Sequence, residues 1–383
     1  MWRERMGNVR LEGGCHAWIH AASLGESAGV PPLLRELRRP APGARFWLSA
    51  TSRAGRARLA ASSPNTSLAP IDSPQAVRRF FSGVQPERLF LVETELWPHW
   101  LMRASAERIP VAVVSARLTE RSVRRYRGLG GGMRRLVGGL AAVLCQSDED
   151  AERWLAVGAP PARTVTVGNL KSDGLPKPAA DRGAERALLG LDPARPLLVL
   201  GSLRPGEARA LARAWTTLPA STRERWQVVA VPRHPRASEE LRAEAMAGGA
   251  TVVRAGAAPG EWRWDDRMGV LAGWYRAAEA AFVGGSLLPY GGHNPLEPAA
   301  CGAAVLIGPH HGSQATYVRA LRAAGAVTVA ATGEPLAAAL RHLLEHDAER
   351  EALGHAGLAV AEAQRGAAGL AVLRLMEWGL WPA

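Results

Sequence analysis

The chain has 383 residues, 47% hydrophobic and 21% charged, and its 47 basic against 35 acidic side chains give a formal charge of +12. That balance excludes a disordered chain, and at roughly 100–200 residues per domain the length predicts two domains. No apolar run reaches the ~20 residues of a membrane span, the opening residues lack the apolar core of a signal peptide, and three scattered cysteines (Cys15, Cys145, Cys301) argue against a disulfide framework and suit a reducing compartment.

In chain order, short apolar runs alternate with helical patterns. His16–Ala22 reads as a strand, followed by a turn at Ser23-Leu24-Gly25 and a helix through Leu33–Leu37. Ala44–Ala50 is a second strand and Ser52–Ala61 a helix; Arg88–Val92, Val111–Ser115 and Ala141–Gln146 are further strands. This rhythm predicts a parallel sheet with helices on both faces. Lys171–Gly183, rich in Pro, Gly and charge, reads as a linker. The rhythm then restarts with Pro196–Gly201, Trp226–Val231, Ala250–Val253, Ala280–Val283 and Ala304–Ile307. Two α/β domains joined by a linker make a cleft, and open α/β sheets bind ligands beyond the carboxyl ends of their strands.

The basic charge has two readings. Only two of the basic residues are lysines, Lys171 and Lys177; the other 45 are arginines, which fits composition drift. The functional reading is attraction to a polyanion. Seven arginines between Arg117 and Arg135, with Tyr126 among them, form either a solvated helix face or an anion-binding rim.

Of five clusters, four directly follow predicted strands. In His20-Ala-Ala-Ser-Leu-Gly-Glu26, Glu26 falls in the first turn of a helix, either as a capping carboxylate or as a general base. Glu93-Thr94-Glu95-Leu96-Trp97-Pro98 sets two carboxylates before a fixed turn, and they are costly if buried unpaired. Lys171, in Gly168-Asn169-Leu170-Lys171, suggests a need for a compact ammonium where arginine is the rule; Lys177, between prolines, suggests chance retention. Val231-Pro232-Arg233-His234-Pro235 aims an arginine suited to phosphate. The most specific cluster is Gly284-Gly285-Ser286, then Gly291-Gly292-His293-Asn294-Pro295-Leu296-Glu297. There Asn294 reads as an N-cap, Pro295 as the first helical residue, and the helix N-terminus as a phosphate site, with Glu297 placed for ribose hydroxyls.

Weaker signals are set aside. Gly201–Glu207 reads at most as a phosphate-facing loop, because no G-x-x-x-x-G-K-S/T is present. Gly128–Gly132 fails the dinucleotide pattern, and His342 with His346 lacks the other ligands of a zinc site. No C-x-x-C and no G-x-S-x-G occurs.

With these residues in place the chain resembles the 3-deoxy-D-manno-octulosonic acid (Kdo) transferases of lipopolysaccharide assembly, from about Trp2 to the C-terminus. The motifs that carry the resemblance are WIHAASLGE (18–26), ETELWP (93–98), ARLTERS (116–122), QSDEDAERW (146–154), GNLKSD (168–173), VPRHP (231–235), DRMG (266–269) and GGSLLPYGGHNPLEPAA (284–300). The resemblance implies a GT-B fold, with two Rossmann-like α/β domains whose parallel sheets face a central cleft. Residues 1–175 would form the acceptor domain and 176–383 the CMP-sugar domain, with the last helix expected to pack back on the first. It implies transfer of Kdo from CMP-Kdo to a lipid A precursor, Glu26 as base, and Glu93 with Lys171 as transition-state stabilisers. It assigns Pro232, Arg233, Met268, Gly269 and Asn294, Pro295, Leu296 and Glu297 to CMP; Val270 is counted with them, and Ser286 and His293 as neighbours. Lys171 would face either the sugar carboxylate or the phosphate.

No metal, cofactor or nucleic acid is expected, and the place of action is the cytoplasmic face of the inner membrane, as a peripheral protein. Two departures stand out. The apolar anchor that usually precedes the segment matching Trp2–Gly7 is absent, so either the start is truncated or membrane contact relies on basic and apolar surface. The usual acidic residue after Met-Gly is Val270. Rival readings are a GT-B transferase of another nucleotide sugar, and a non-catalytic protein that binds polyanions or lipid precursors.

Overall fold

The computed structural model describes residues 1–382, and among these the chain forms two parallel seven-stranded sheets in two compact units. The first unit comprises Met1–Gly174 with the chain from Gln364 onward, and the second Leu175–Ala363.

The first sheet contains β1 (Ala17–His20), β2 (Phe46–Ala50), β3 (Thr66–Leu68), β4 (Leu89–Val92), β5 (Val111–Ala116), β6 (Ala142–Cys145) and β7 (Thr164–Thr166), in the order β3-β2-β1-β4-β5-β6-β7. Its central strands are buried along their whole length, because helices cover both faces. On one face Trp18 packs at 4.4 Å from Phe80 and 4.7 Å from Trp100. On the other, Ile19, Leu48 and Phe90 meet helix Ala367–Glu377 and Trp381. Trp381 stacks on Phe46 and donates from Nε1 to the Leu37 carbonyl at 2.9 Å, so the C-terminal helix is part of this unit's core.

The second sheet contains β8 (Leu197–Leu203), β9 (Gln227–Pro232), β10 (Val252–Val253), β11 (Trp262–Trp264), β12 (Ala280–Val283), β13 (Ala304–Ile307) and β14 (Val327–Val329), in the order β10-β11-β9-β8-β12-β13-β14. In each sheet the strand order reverses beside the first strand, which opens a crevice at the carboxyl edge.

Four short strands escape the sequence pattern: β3, β7, β11 and β14 have three residues each, too few to show a period. The expected linker starts with an ordered segment, since Leu170–Gly174 is a 3-10 turn and Asp173 accepts hydrogen bonds from Gly366 N–H and, at 2.6 Å, from Ala368 N–H. The arginine-rich stretch is two helices, Glu120–Gly128 and Gly130–Gly138, broken where Gly130 takes φ +70°. No helix among the described residues is long and apolar enough to cross a membrane.

Candidate active site

Glu26 sits just beyond β1. Ser23 and Glu26 have capping-box spacing and fold accordingly: Glu26 N–H donates to Ser23 Oγ, Ser23 Oγ donates to Glu26 Oε1 at 2.9 Å, and Ala22 N–H donates to Oε2 at 2.7 Å. Capping and catalysis are therefore compatible, because a carboxylate so gripped keeps lone pairs for a further proton. Burial pushes the Glu26 pKa up; the charges of Glu93 and Glu95 add to this, and the bonds from Ser23 and Ala22 oppose it.

Glu93 follows β4 with φ +65°, a left-handed conformation that is strained for a residue with a Cβ. Its Oε1 lies 2.5 Å from Lys171 Nζ. Lys171 is delivered by a framework at the ends of β5 to β7: Leu170 N–H donates to Ser115 Oγ, Lys171 N–H to Asn169 Oδ1, and Gln146 Nε2 to the Ser115 carbonyl. Glu95 points its carboxylate elsewhere, accepting from Trp97 Nε1 at 2.9 Å, and the Thr94 hydroxyl donates to the Arg117 carbonyl. The structure thus gathers Glu26, Glu93 and Lys171 at one sheet edge, while Lys177 is exposed and belongs to the second unit.

In the second unit, β12 runs into Gly284 and Gly285. The amides of Gly285, Ser286 and Leu287 donate to the buried carboxylate of Glu207, at 2.7, 2.9 and 2.9 Å, and so does Arg204 N–H at 2.9 Å. The segment Gly201–Glu207, set aside above as at most a phosphate-facing loop, has a structural role here. It supplies an internal anion that shapes the glycine turn, because four convergent N–H donors would be orphaned without it. Burial pushes the Glu207 pKa up against the pull of those donors. A Cβ on Gly284 would lie 2.4 Å from the Ser202 carbonyl oxygen, so only glycine fits there. Ser286 turns its hydroxyl inward, donating to the Val283 carbonyl and accepting from Gly308 N–H.

His293, Arg233, Arg204 and His234 converge beside this turn. Burial first, together with Arg233, Arg204 and His234, lowers the His293 pKa to about 4, and Nε2 is buried without a hydrogen-bond partner. Arg204 also lies over the Tyr290 ring at 4.6 Å. Pro232 ends β9 and Arg233 N–H donates to the Leu203 carbonyl at 3.0 Å, which fixes where the arginine leaves the sheet. Asn294 Oδ1 accepts from Leu296 N–H at 3.0 Å, a turn just ahead of the helix. The helix is a single turn, Leu296–Ala299, beginning one residue later than predicted, so that Pro295 rather than Asn294 is its N-cap, and Gly302 beyond it takes φ +71°. One turn carries little macrodipole, so the positive charge beside the glycine turn comes mainly from the arginines. Glu297 lies near the fully buried Tyr275, whose phenol pKa rises through burial and that negative charge.

Asp265 orders the remaining segment: it binds Arg267 through both oxygens, at 2.9 and 2.7 Å, and accepts from Trp274 Nε1. Met268 follows, 64% exposed, then Gly269 at φ +81°. Val270 packs against the core near Trp274 and Tyr275, an apolar role that an acidic side chain would not fill. Arg204 and Glu207 were not singled out in the sequence as site residues. Their signal was Ser-Leu-Arg-Pro-Gly-Glu directly after an apolar strand, but only the fold shows that Glu207 reaches the glycine turn about 80 positions on.

Two α/β units of this topology give the GT-B fold class. Solved structures of the same fold include the UDP-GlcNAc 2-epimerase of Neisseria meningitidis bound to UDP-GlcNAc (12% identity, TM-score 0.66, 94% of this chain and 99% of that one). Another is a UDP-N-acetylglucosamine 2-epimerase from Listeria monocytogenes, described as putative (16%, TM-score 0.62, 95% and 97%). Residues 1–174 match the family model described as 3-deoxy-D-manno-octulosonic-acid transferase (kdotransferase). The chain is 34% identical over 375 residues to the 3-deoxy-D-manno-octulosonic acid transferase of Bordetella pertussis, covering 94% of this chain and 87% of that protein. The corresponding transferase of Haemophilus influenzae is 30% identical, with 91% and 84% covered. The chain belongs to the 3-deoxy-D-manno-octulosonic acid transferase family and is a glycosyltransferase.

Proposed function

We propose that this enzyme moves Kdo from CMP-Kdo to a lipid A precursor with inversion, using Glu26 as general base and no metal or cofactor. The observation that carries the reading is Glu26 itself: a half-buried carboxylate, fixed by two hydrogen bonds, made more basic by burial and standing among further charges. A hydroxyl of the acceptor glucosamine attacks the anomeric carbon of Kdo. Its proton passes to Glu26 as the new C–O bond forms. The bond from the anomeric carbon to the phosphate oxygen breaks, and CMP departs with the electron pair. One displacement from the face opposite the leaving group inverts the anomeric centre.

Charge growing on the CMP phosphate is met by Arg233 and Arg204, an electrostatic role that their convergence on His293 supports. Pro232, Met268, Gly269, Val270 and Asn294–Glu297 hold the nucleotide, with Ser286 and His293 shaping the floor. The Glu93–Lys171 pair orients the Kdo carboxylate and stabilises charge in the transition state. The helices Glu120–Gly128 and Gly130–Gly138, with Leu129 58% exposed among arginines, suit contact with an anionic membrane at its cytoplasmic face, where the acceptor's phosphates also lie.

Titration calorimetry with CMP and with UDP tests the donor. Tighter binding of CMP that weakens in Arg233→Ala is expected. A preference for UDP points instead to another nucleotide sugar, and salt-sensitive polyanion binding without turnover points to a binding protein.

A further inference from the structure

His20 is the last residue of β1, and its side chain is fully buried. Its Nδ1 lies 2.9 Å from Ser49 Oγ, and Ser49 Oγ is 2.7 Å from Trp18 Nε1. An indole nitrogen can only donate, so Ser49 accepts from Trp18 and passes its own proton toward His20 Nδ1. The histidine is then the tautomer that carries its hydrogen on Nε2. That nitrogen has no hydrogen-bond partner, and Glu95 Oε2 stands 3.6 Å away. The same Glu95 oxygen accepts from Trp97 Nε1. Two residues beyond His20, Ala22 N–H holds Glu26 Oε2.

We propose that Glu95 is a positioning residue for Glu26, held through His20 by a one-directional chain of hydrogen bonds that begins at the Trp18 indole. The inference rests on Glu26 as the base. In the loaded enzyme the 3.6 Å gap closes to a hydrogen bond, as such contacts commonly do. Glu95 then fixes the end of β1 from which Glu26 is hung, and its charge favours the protonated form of Glu26.

The other charged groups packed around Glu26 are already engaged. Lys171 is paired with Glu93, and Asp173 holds the amides of Gly366 and Ala368. On helix Arg53–Ala60, Arg56 is paired with Glu4 and Arg53 is exposed; on helix Val30–Arg38, Arg35 is paired with Glu36. Glu93 and Glu95 both raise the Glu26 pKa, and Glu95 is the one of the two not paired with a lysine: it accepts from the Trp97 indole and faces His20 Nε2 across 3.6 Å.

The test is the pH dependence of kcat/KM in the full chain for Glu95→Gln, Glu95→Asp and His20→Gln, with Glu26→Ala as reference. Removing the Glu95 charge removes a repulsion that raises the Glu26 pKa, so in Glu95→Gln the acid limb moves to lower pH, by about half a unit or more, and kcat falls about tenfold. Glu95→Asp keeps the charge and keeps the limb near its place. His20→Gln retains an N–H donor and stays closer to the native rate than His20→Leu, with KM for the donor unchanged in both. If Glu95→Gln does not fold, Trp97→Phe removes the second donor to Glu95 and should lower kcat at constant donor KM; an unchanged kcat overturns the inference. An acid limb unmoved in a folded Glu95→Gln, while Glu26→Ala is inactive, also overturns it. An active Glu26→Ala sinks the underlying reading instead.

Discussion

The two units present opposite electrostatics at equivalent places, the carboxyl edges of similar parallel sheets. In the first, three carboxylates crowd together with one lysine, and burial with like charge pushes a pKa up at Glu26. In the second, two arginines and two histidines crowd together, the buried Glu207 is already bound by four amides, and a pKa is pushed down at His293 to about 4. In the proposed reaction one region receives a proton and the other an anion. The same fold supports both because function is carried by the loops after the strands rather than by the sheet.

The most severe way to break this contrast is Glu26→Gln, which keeps shape and removes basicity. Transfer should fall by about 10²- to 10⁴-fold, with CMP affinity and circular dichroism unchanged. Arg233→Ala should cost about 10²-fold in kcat/KM, with a shallower salt dependence of CMP binding. Glu207→Ala tests the internal anion of the second unit. Orphaning several buried amides should lower stability by roughly 3 kcal/mol or more in denaturant unfolding, and an unchanged midpoint would mean the turn holds itself.

The smallest effect sharpens the comparison through pH. In this mechanism Glu26 must be unprotonated to act, and its pKa is raised, so activity should fall on the acid side at a higher pH than an ordinary glutamate would give. His293, pushed down to about 4, is uncharged at neutral pH. His293→Gln should therefore change CMP affinity only severalfold and leave the limb in place.

Much of this was legible in the sequence because strand ends carry their own marks. β12 and β13 coincide with the apolar runs Ala280–Val283 and Ala304–Ile307, and Glu26, Glu93 and Arg233 each follow a predicted strand, whereas Lys171 follows β7, which was not predicted. Three-residue edge strands were not, since so short a segment shows no period. Nor was the partner of a buried carboxylate: the side chain of Glu207 finds the amides of Gly285 and Leu287 only when β8 and β12 lie side by side. Ser286 looked like a ligand contact, and its hydroxyl is engaged within the fold. Local pattern places a residue on an edge, but pairing across the sheet decides what its side chain meets.

The most direct measurement is to incubate the purified protein with CMP-Kdo, generated in place, and a tetra-acylated lipid A precursor, and to weigh the lipid by mass spectrometry. A mass gain of one or more Kdo residues, lost in Glu26→Gln, is the predicted result. An unchanged lipid mass while CMP is still bound, or an equal gain with Glu26→Gln, would contradict the account.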